Sequence, residues 1–325
     1  MHARPGTEVL RRAVLLACRA PSVHNSQPWR WLAEDGILHL FVDRHRALPA
    51  TDSSGREVIL SCGAVLDHLC VAMTAAGWDP QVERYPDPGD PENLASVRFS
   101  PLDRVTDAQH RRAEAILQRR TDRLPLGQPT YWTMFEPALL SRCSSDRVQL
   151  HVLDDDVRPL LAEASQLTET LRRDDFSYHA ELDWWTSSFV LAEGVPPSAL
   201  ASDREIWRVD VARSFPIRSH ADRRGEVKAD WSKILVLSTP EDTRADVLRC
   251  GEMLSKVLLE CTIAGMATCT LTHLVELEEG RDVVRGLIGQ SGQPQVLVRA
   301  GIAPPMEHLP AATPRRPLDD VLRIR

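Results

Sequence analysis

The feature that most constrains this 325-residue chain is a stretch that occurs twice. Shifted by 188 residues, positions 56–78 align without a gap on 244–266, with eight identities in 23 positions. The matches are Arg56/Arg244, Leu60/Leu248, Cys62-Gly63/Cys250-Gly251, Leu66/Leu254, Thr74/Thr262 and Ala76-Gly77/Ala264-Gly265. Two amphipathic helices share apolar spacing by default, but apolar spacing does not account for repeated Cys-Gly and Ala-Gly pairs. A glycine inside a helix costs about 1 kcal/mol relative to alanine, so Gly63 and Gly251 are expected to permit close backbone packing. The chain therefore reads as two fused, diverged half-units, the first over 1–105 and the second over 106–325.

Hydrophobic residues make up 43% of the chain and charged residues 26%, enough apolar material for a large core and too much for disorder. The formal charge of −7 excludes a nucleic-acid surface, which needs a net basic face, so any bound anion must be held locally. No apolar run is expected to reach the roughly 20 residues of a membrane span, and the run at 13–18 is shorter than a signal-peptide core. A cytoplasmic protein without a membrane segment is the expectation. Seven cysteines, an odd count without a C-x-x-C pair, argue against both a disulfide framework and a zinc site.

Thr7 followed by EVLRRAVLLACRA reads as a capped helix broken by Pro21, and the polar run before Pro28 as a loop. Residues 29–33 and 37–42 form a hairpin across Glu34-Asp35-Gly36, and a long helix runs over about 56–76, closed by Gly77. The remainder alternates in the α/β manner. Strands are expected near 80–86, 95–100, 147–153, 233–238 and 295–302, and helices at 106–119, 155–172 and 276–288. Residues 176–231 have no counterpart in the first unit and carry Trp184, Trp185, Trp207, Trp231 and the Pro196-Pro197 break. They read as an inserted helical segment able to cover a site, or equally as an irregular subdomain anchored by its tryptophans.

The chemistry-bearing motif is Ala20-Pro21-Ser22-Val23-His24-Asn25-Ser26-Gln27-Pro28-Trp29. A helix stops at Pro21, and a loop then presents a hydroxyl, an imidazole and two carboxamides before a strand begins. Carboxamides pair a donor with an acceptor, which suits the edge of a flavin or pyrimidine ring; a polar cap is the plainer reading of such a loop. Two basic stretches follow, Arg119-Arg120-Thr121-Asp122-Arg123 and Pro314-Arg315-Arg316-Pro317-Leu318. Guanidinium groups bind phosphate oxygens through paired, charge-assisted bonds, although such runs are more often solvated turns.

The pattern A-P-S-x-x-N-x-Q-P-W resembles the signature of FMN-dependent nitroreductases, and APSVHNSQPWRW is similar to the Acg-type branch of mycobacteria and actinobacteria. The resemblance implies an α/β (α+β) nitroreductase-like fold, antiparallel sheets flanked by helices. It also implies a family dimer with FMN between subunits and electron flow from NAD(P)H through FMN to a nitroaromatic or quinone. In that family the protein supplies position and electrostatics, and no side chain need be strictly catalytic. Residues 119–123 resemble the R-R-S-x-R stretch that grips the FMN phosphate. Residues 314–318 match more loosely the basic tail that completes the phosphate site, which leaves open which arginine points inward. By the same resemblance Thr270, Leu271 and Thr272 lie near the ring edge.

The first unit has the polar loop but no R-R-S-x-R counterpart, whereas the second has the arginines but has lost the Asn-x-Gln-Pro-Trp pattern over 131–142. Fusion should then give a pseudodimer with one complete FMN site, drawn from Ser22, His24, Asn25, Gln27, Arg119, Arg120, Thr121, Arg123, Thr270, Leu271, Arg315 and Arg316. His24 could stack near the ring, donate to a flavin oxygen or bond the loop backbone. The expected partner is a small-molecule electron acceptor, with further homodimerisation open. The rival reading is an FMN-sequestering protein whose insertion closes over the flavin. A hydrolase using Ser22 and His24 lacks the G-x-S-x-G elbow, a dinucleotide fold lacks G-x-G-x-x-G, and the histidines form no H-E-x-x-H metal motif.

Overall fold

The computed structural model describes residues 4–187, 193–216, 221–306 and 311–325. Its strands are β1 (Trp29–Glu34), β2 (Ile37–Val42), β3 (Trp78–Arg84), β4 (Asn93–Pro101), β5 (Gln149–Leu153), β6 (Lys233–Thr239), β7 (Ala267–Leu271), β8 (Gln293–Gly301) and β9 (Leu322–Ile324). Its helices are α1 (Thr7–Ala17), α2 (Arg56–Ala75), α3 (Asp107–Gln118), α4 (Trp132–Arg142), α5 (Arg158–Arg172), α6 (Phe176–Trp185), α7 (Asp203–Ile206), α8 (Arg244–Ile263), α9 (Glu278–Leu287) and α10 (Leu318–Val321). The chain forms two compact units. Unit 1 comprises Met1–Gln118, Thr243–Leu259 and Pro314–Arg325, and unit 2 comprises Arg119–Asp242 and Glu260–Thr313. This partition follows spatial compactness; the division at 105/106 follows the repeat.

Unit 1 holds a five-stranded sheet in the order β3-β4-β2-β1-β9, antiparallel except where β9 runs parallel to β1. Its inner face follows from alternation: Trp29, Trp31 and Ala33 on β1 and Leu38, Leu40 and Val42 on β2 are buried. Glu34 pairs with Ile37, so Asp35 and Gly36 alone form the hairpin loop, with φ of 53° and 79°. Positive φ at both positions matches the right-handed twist of the flanking strands. At α1 the sequence reading needs correction, because Gly6 is the N-cap and Thr7 is already helical.

The repeated stretch forms two helices of equal length, α2 and α8, each of 20 residues and offset by 188 throughout. They cross at the repeated glycines. A Cβ on Gly63 would run into the carbonyl oxygen of Leu248 and stand 2.9 Å from the Gly251 Cα. A Cβ on Gly251 would meet the Leu60 carbonyl in the same way and stand 2.9 Å from the Gly63 Cα. One turn on, the Ser255 hydroxyl donates to the Asp67 carboxylate, and these positions are again 188 apart. Arg84 on β3 holds Glu252 with two bonds of 2.7 and 2.6 Å.

α2 also corrects the expectation that no run is long and apolar enough to span a membrane, since an 18-residue window of it has a mean hydropathy of 1.8. It is the one such helix among the described residues, and 78% of that window is buried inside the protein. That burial makes it a core helix, with its neighbours in place of lipid.

Unit 2 holds an antiparallel four-stranded sheet in the order β5-β6-β8-β7. Leu153, Ile234, Val236, Leu271 and Leu297 from the strands pack with Leu161, Leu274 and Val284 from the helical segments to form its core. Four elements escaped the sequence reading, among them α10, a single turn behind Pro317. β7 was hidden because its alternation, A-T-C-T-L, is short and weakly apolar; β9 is three residues at the chain end; and α4 contains Pro137, which argues against a helix interior. The stretch over 131–142, read as a decayed loop, is this helix.

The 176–231 segment contributes α6, capped by Asp175 accepting from the Tyr178 amide, and the single-turn α7, closed by a Ser202/Glu205 capping box. Much of the rest lacks regular structure and is tied by side chains. Arg223, for example, bonds Glu205 and the carbonyls of Ser198 and Leu200. Trp185 is buried, whereas Trp184, Trp207 and Trp231 are exposed, so one of the four tryptophans acts as an anchor. The expected helical character at 188–192 and 217–220 falls outside the described residues.

Candidate functional site

In unit 1 the polar loop takes a conformation that few residues adopt. His24, Asn25 and Gln27 have φ of 46°, 57° and 51°, in the left-handed region where a side chain other than glycine is strained. Such strain persists only when surrounding bonds over-determine it. They do here. The Val23 amide donates to Ser61 Oγ on α2 at 3.1 Å, and the Gln27 amide donates to Ser22 Oγ at 3.0 Å. The Gln27 carboxamide is used at both ends, donating to the Asn25 carbonyl at 3.2 Å and accepting from the Arg316 amide at 2.9 Å. Asn25 Nδ2 donates to the Pro314 carbonyl at 3.2 Å, and His24, Asn25 and Gln27 are all buried.

The tail arginines brace this loop. Arg315 donates to the carbonyls of Cys18, Arg19 and Ala20 at 2.8, 3.0 and 3.3 Å, the unsatisfied acceptors that follow α1. Arg316 donates to the carbonyls of Gln27 and Trp29 at 3.2 and 3.4 Å and lies 3.6 Å from the Asp43 carboxylate. Arg46 donates to the Ser26 carbonyl, and burial, followed by the charge of Arg316, pushes its guanidinium down to about 10. Sequence reasoning missed Ser61 and Arg46, and nothing in their local pattern distinguishes them.

In unit 2 the basic stretch Arg119–Arg123 runs alongside β7. Thr121 bridges Thr268 in parallel, and the Asp122 amide donates to the Thr268 carbonyl at 2.8 Å. Arg119 is buried, Arg120 is exposed, and Thr121 and Arg123 are half-buried. Arg123 lies 5.3 Å from the Phe215 ring centroid and reaches the Ala199 carbonyl only at 3.4 Å. No carboxylate forms an ion pair with it among the described residues, and burial pushes its pKa down. Thr270 is half-buried on β7, whereas the Leu271 side chain belongs to the core. Thr272 accepts from Arg213 at 3.1 Å, and Arg213 also binds Tyr178 at 2.8 Å and forms an ion pair with Glu276. Next in the chain, His273 is buried with its Nε2 2.7 Å from Ser165 Oγ, and burial, then the charge of Arg213, holds its pKa well below the usual imidazole value. A neutral His273 is thus part of the packing. Sequence reasoning also missed Arg299, a charge inside the apolar strand β8 that bonds Asp230 and the Leu124 carbonyl.

An anion fits Arg123. A guanidinium partly withdrawn from water, with the Asp122 charge acting on it only from a distance, would gain a direct ion pair from a phosphate.

No family model matches the chain. It is 64% identical over 321 residues to Rv3127 of Mycobacterium tuberculosis strain H37Rv, an uncharacterized protein, covering 98% of this chain and 93% of that one. It is 57% identical over 319 residues to a protein of the same strain named "Putative NAD(P)H nitroreductase acg", covering 98% and 96%. The crystal structure of the FMN-dependent nitroreductase NfnB from Mycobacterium smegmatis in complex with NADPH is 17% identical, covers 67% of this chain and 99% of its own, and has a TM-score of 0.42. On the strength of the full-length relatives, the chain belongs to the Acg-type branch of the nitroreductase superfamily.

Proposed function

We propose that this chain binds one FMN and acts as an NAD(P)H-dependent flavin oxidoreductase that reduces small-molecule acceptors of the nitroaromatic or quinone class in the cytoplasm. The observation that carries the reading is Arg123, a half-buried cation that forms no ion pair with a carboxylate among the described residues, in a stretch that resembles the family's phosphate grip. The relative named as an NAD(P)H nitroreductase supports the activity.

FMN, when bound, supplies the two-electron chemistry. The chain's own contribution is placement. Arg119, Arg120, Thr121 and Arg123 are proposed to hold the phosphate, Thr270 and the Leu271 backbone to lie at the ring edge, and Ser22, His24 and Asn25 to address the ring, while Gln27, its carboxamide bonded at both ends, shapes the loop that presents them. Arg315 and Arg316 serve by keeping the polar loop in its strained shape, through the bonds they donate to backbone carbonyls of residues 18–20, 27 and 29.

A second reading, a flavin-sequestering protein with little turnover, is favoured by one observation. The insertion touches the same stretches, through Ala199 and Phe215 at Arg123 and through Arg213 at Thr272. An absorbance spectrum separates the two, followed by anaerobic addition of NADPH and then NADH. Bleaching of the oxidised flavin band supports the oxidoreductase, and a yellow protein that neither nucleotide bleaches supports the store. A colourless protein that cannot be loaded with FMN refutes both. Asn25→Ala and Arg119→Ala should each weaken FMN binding, and full affinity in either variant removes that residue from the assignment.

A further inference from the structure

Arg123 lies in a segment without helix or strand, between α3 and α4, yet its neighbours on both sides are fixed. Upstream, the Asp122 amide donates to Thr268; downstream, Gly127 and Ile302 exchange two backbone bonds of 2.8 and 2.9 Å. The approach at that second bridge is close enough that a Cβ on Gly301 would stand 2.7 Å from the Gly127 carbonyl oxygen. Side chains complete the fixation. Arg299, fully buried on β8, donates to the Leu124 carbonyl at 2.9 Å and to Asp230 at 2.7 and 3.1 Å. Asp230 in turn accepts the Leu126 amide at 2.7 Å. From the other side Arg224, also fully buried, donates to the Pro125 carbonyl at 3.0 Å and grips both oxygens of Asp122 at 2.8 and 3.1 Å.

The Asp122 contact matters most. Asp122 is the carboxylate adjacent in sequence to Arg123, and it would be the nearest available partner for that guanidinium if it were released. Arg224 engages it on both oxygens as its only ion-pair partner among the described residues, and the Leu124 amide adds one bond of 3.0 Å. The Arg299–Asp230 pair likewise spends its charge internally, so among the described residues of this cluster Arg123 is the cation that forms no carboxylate ion pair.

We infer that Arg224, with Arg299 and Asp230, is a positioning clamp that fixes the backbone around Arg123 and withholds Asp122 from it, leaving the Arg123 guanidinium available to the FMN phosphate. The inference rests on the reading of Arg123 as a phosphate ligand. It assigns a role to Arg224, a residue of the 176–231 insertion, so the insertion contributes to flavin affinity even though Arg224 itself need not touch flavin.

The test compares the dissociation constants of FMN and of riboflavin, which lacks the phosphate, by fluorescence titration of the full chain. In Arg224→Met the released Asp122 competes with phosphate for Arg123, so FMN affinity should fall about tenfold, the scale of one charge-assisted bond, while riboflavin affinity stays within about twofold. Adding Asp122→Asn removes the competitor and should recover most of the FMN affinity. This double variant also removes a buried ion pair as a unit, which proteins tolerate better than loss of one partner. If Arg224→Met does not fold, Arg224→Lys keeps the charge without the two-pronged geometry and should show a smaller loss confined to FMN. Equal loss of FMN and riboflavin affinity, or no recovery in the double variant, would overturn the clamp. Arg123→Ala separates this from the underlying reading. If it lowers FMN affinity alone while Arg224→Met has no effect, the clamp fails and the phosphate reading stands; if it leaves the FMN-to-riboflavin ratio unchanged, both fail.

Discussion

Gly63→Ala tests whether the repeated glycines exist for the helix crossing. The new methyl would meet the Leu248 carbonyl and stand 2.9 Å from both the Glu252 amide nitrogen and the Gly251 Cα. All three are backbone atoms of a facing helix, and no side-chain rotation relieves them. Overpacking costs about 1 to 3 kcal/mol, and backbone opposition places this case at the upper end or beyond. The substitution also gains about 1 kcal/mol, because alanine loses less entropy than glycine on entering a helix. The net expectation is a loss of about 2 kcal/mol, or a fall of roughly 3 °C in melting temperature for a chain of this size. Gly286→Ala supplies the control, since Gly286 lies in α9 with nothing within 4 Å of a new Cβ, and it should be neutral or stabilising. Thermal melts followed by circular dichroism measure all three proteins. A Gly63→Ala variant that melts at or above the wild type refutes the close-crossing argument, whatever the repeat's origin.

Further outcomes follow from the buried charges and the braced loop. Burial raises the Asp67 pKa above its unfolded value despite Arg112, Ser255 and Lys256, with Cys70 and Glu252 also nearby. A carboxyl with a raised folded pKa contributes most below the unfolded value, about 3.9, and loses that contribution as pH rises through the folded value. Asp67→Asn should therefore gain stability relative to wild type as pH rises above about 4, and urea midpoints that track in parallel across pH would contradict it. Asp230→Ala strips the carboxylate from the fully buried Arg299 and from Arg158, and should cost about 3 to 5 kcal/mol, read as loss of a cooperative melt. Burial works against the charged form of Asp230, yet Arg299, with Ser232 and Arg158, holds its carboxyl below the usual range. Its stabilisation is thus present above the unfolded pKa and lost as pH falls through the depressed one. Arg315→Ala frees three carbonyls at the end of α1 and should weaken FMN binding with little change in melting temperature, and unchanged affinity would separate the tail from the loop's function.

What the sequence disclosed, it disclosed through local rules. Asp35-Gly36 marked a hairpin because only a few residue types accept two positive φ values in succession, and the hairpin lies where expected. The repeat gave α2 and α8 with their common offset, and the Cys-Gly pair pointed to the crossing. What stayed hidden depends on partners distant in the chain. Gln27 looks like a ligand-facing carboxamide in the motif, yet its oxygen is taken by the amide of Arg316, 289 positions away. Arg224 and Asp122 are 102 positions apart and carry no spacing rule that could join them. The tail arginines were legible as a basic motif, but their bonding to carbonyls at the end of α1 could only come from the fold.

The helix crossing also shows what the two copies of the repeat gain from agreeing at one position and differing at the next. Equivalent positions face one another there, 63 against 251 and 67 against 255. At the first pair the opposition is backbone against backbone, so each side independently requires the absence of a Cβ, and glycine persists in both copies. At the second pair the opposition is side chain against side chain. Two identical copies would bring Asp67 against a second aspartate, two carboxylates within hydrogen-bonding distance in a buried setting, which forces one of them to take up a proton. With serine at 255 the same contact becomes a hydroxyl donating to a carboxylate. The contact is thus symmetric at one turn of the helix and asymmetric at the next: a single chain carrying both copies can set a hydroxyl against a carboxylate, whereas identical subunits with aspartate at this position would set two carboxylates together.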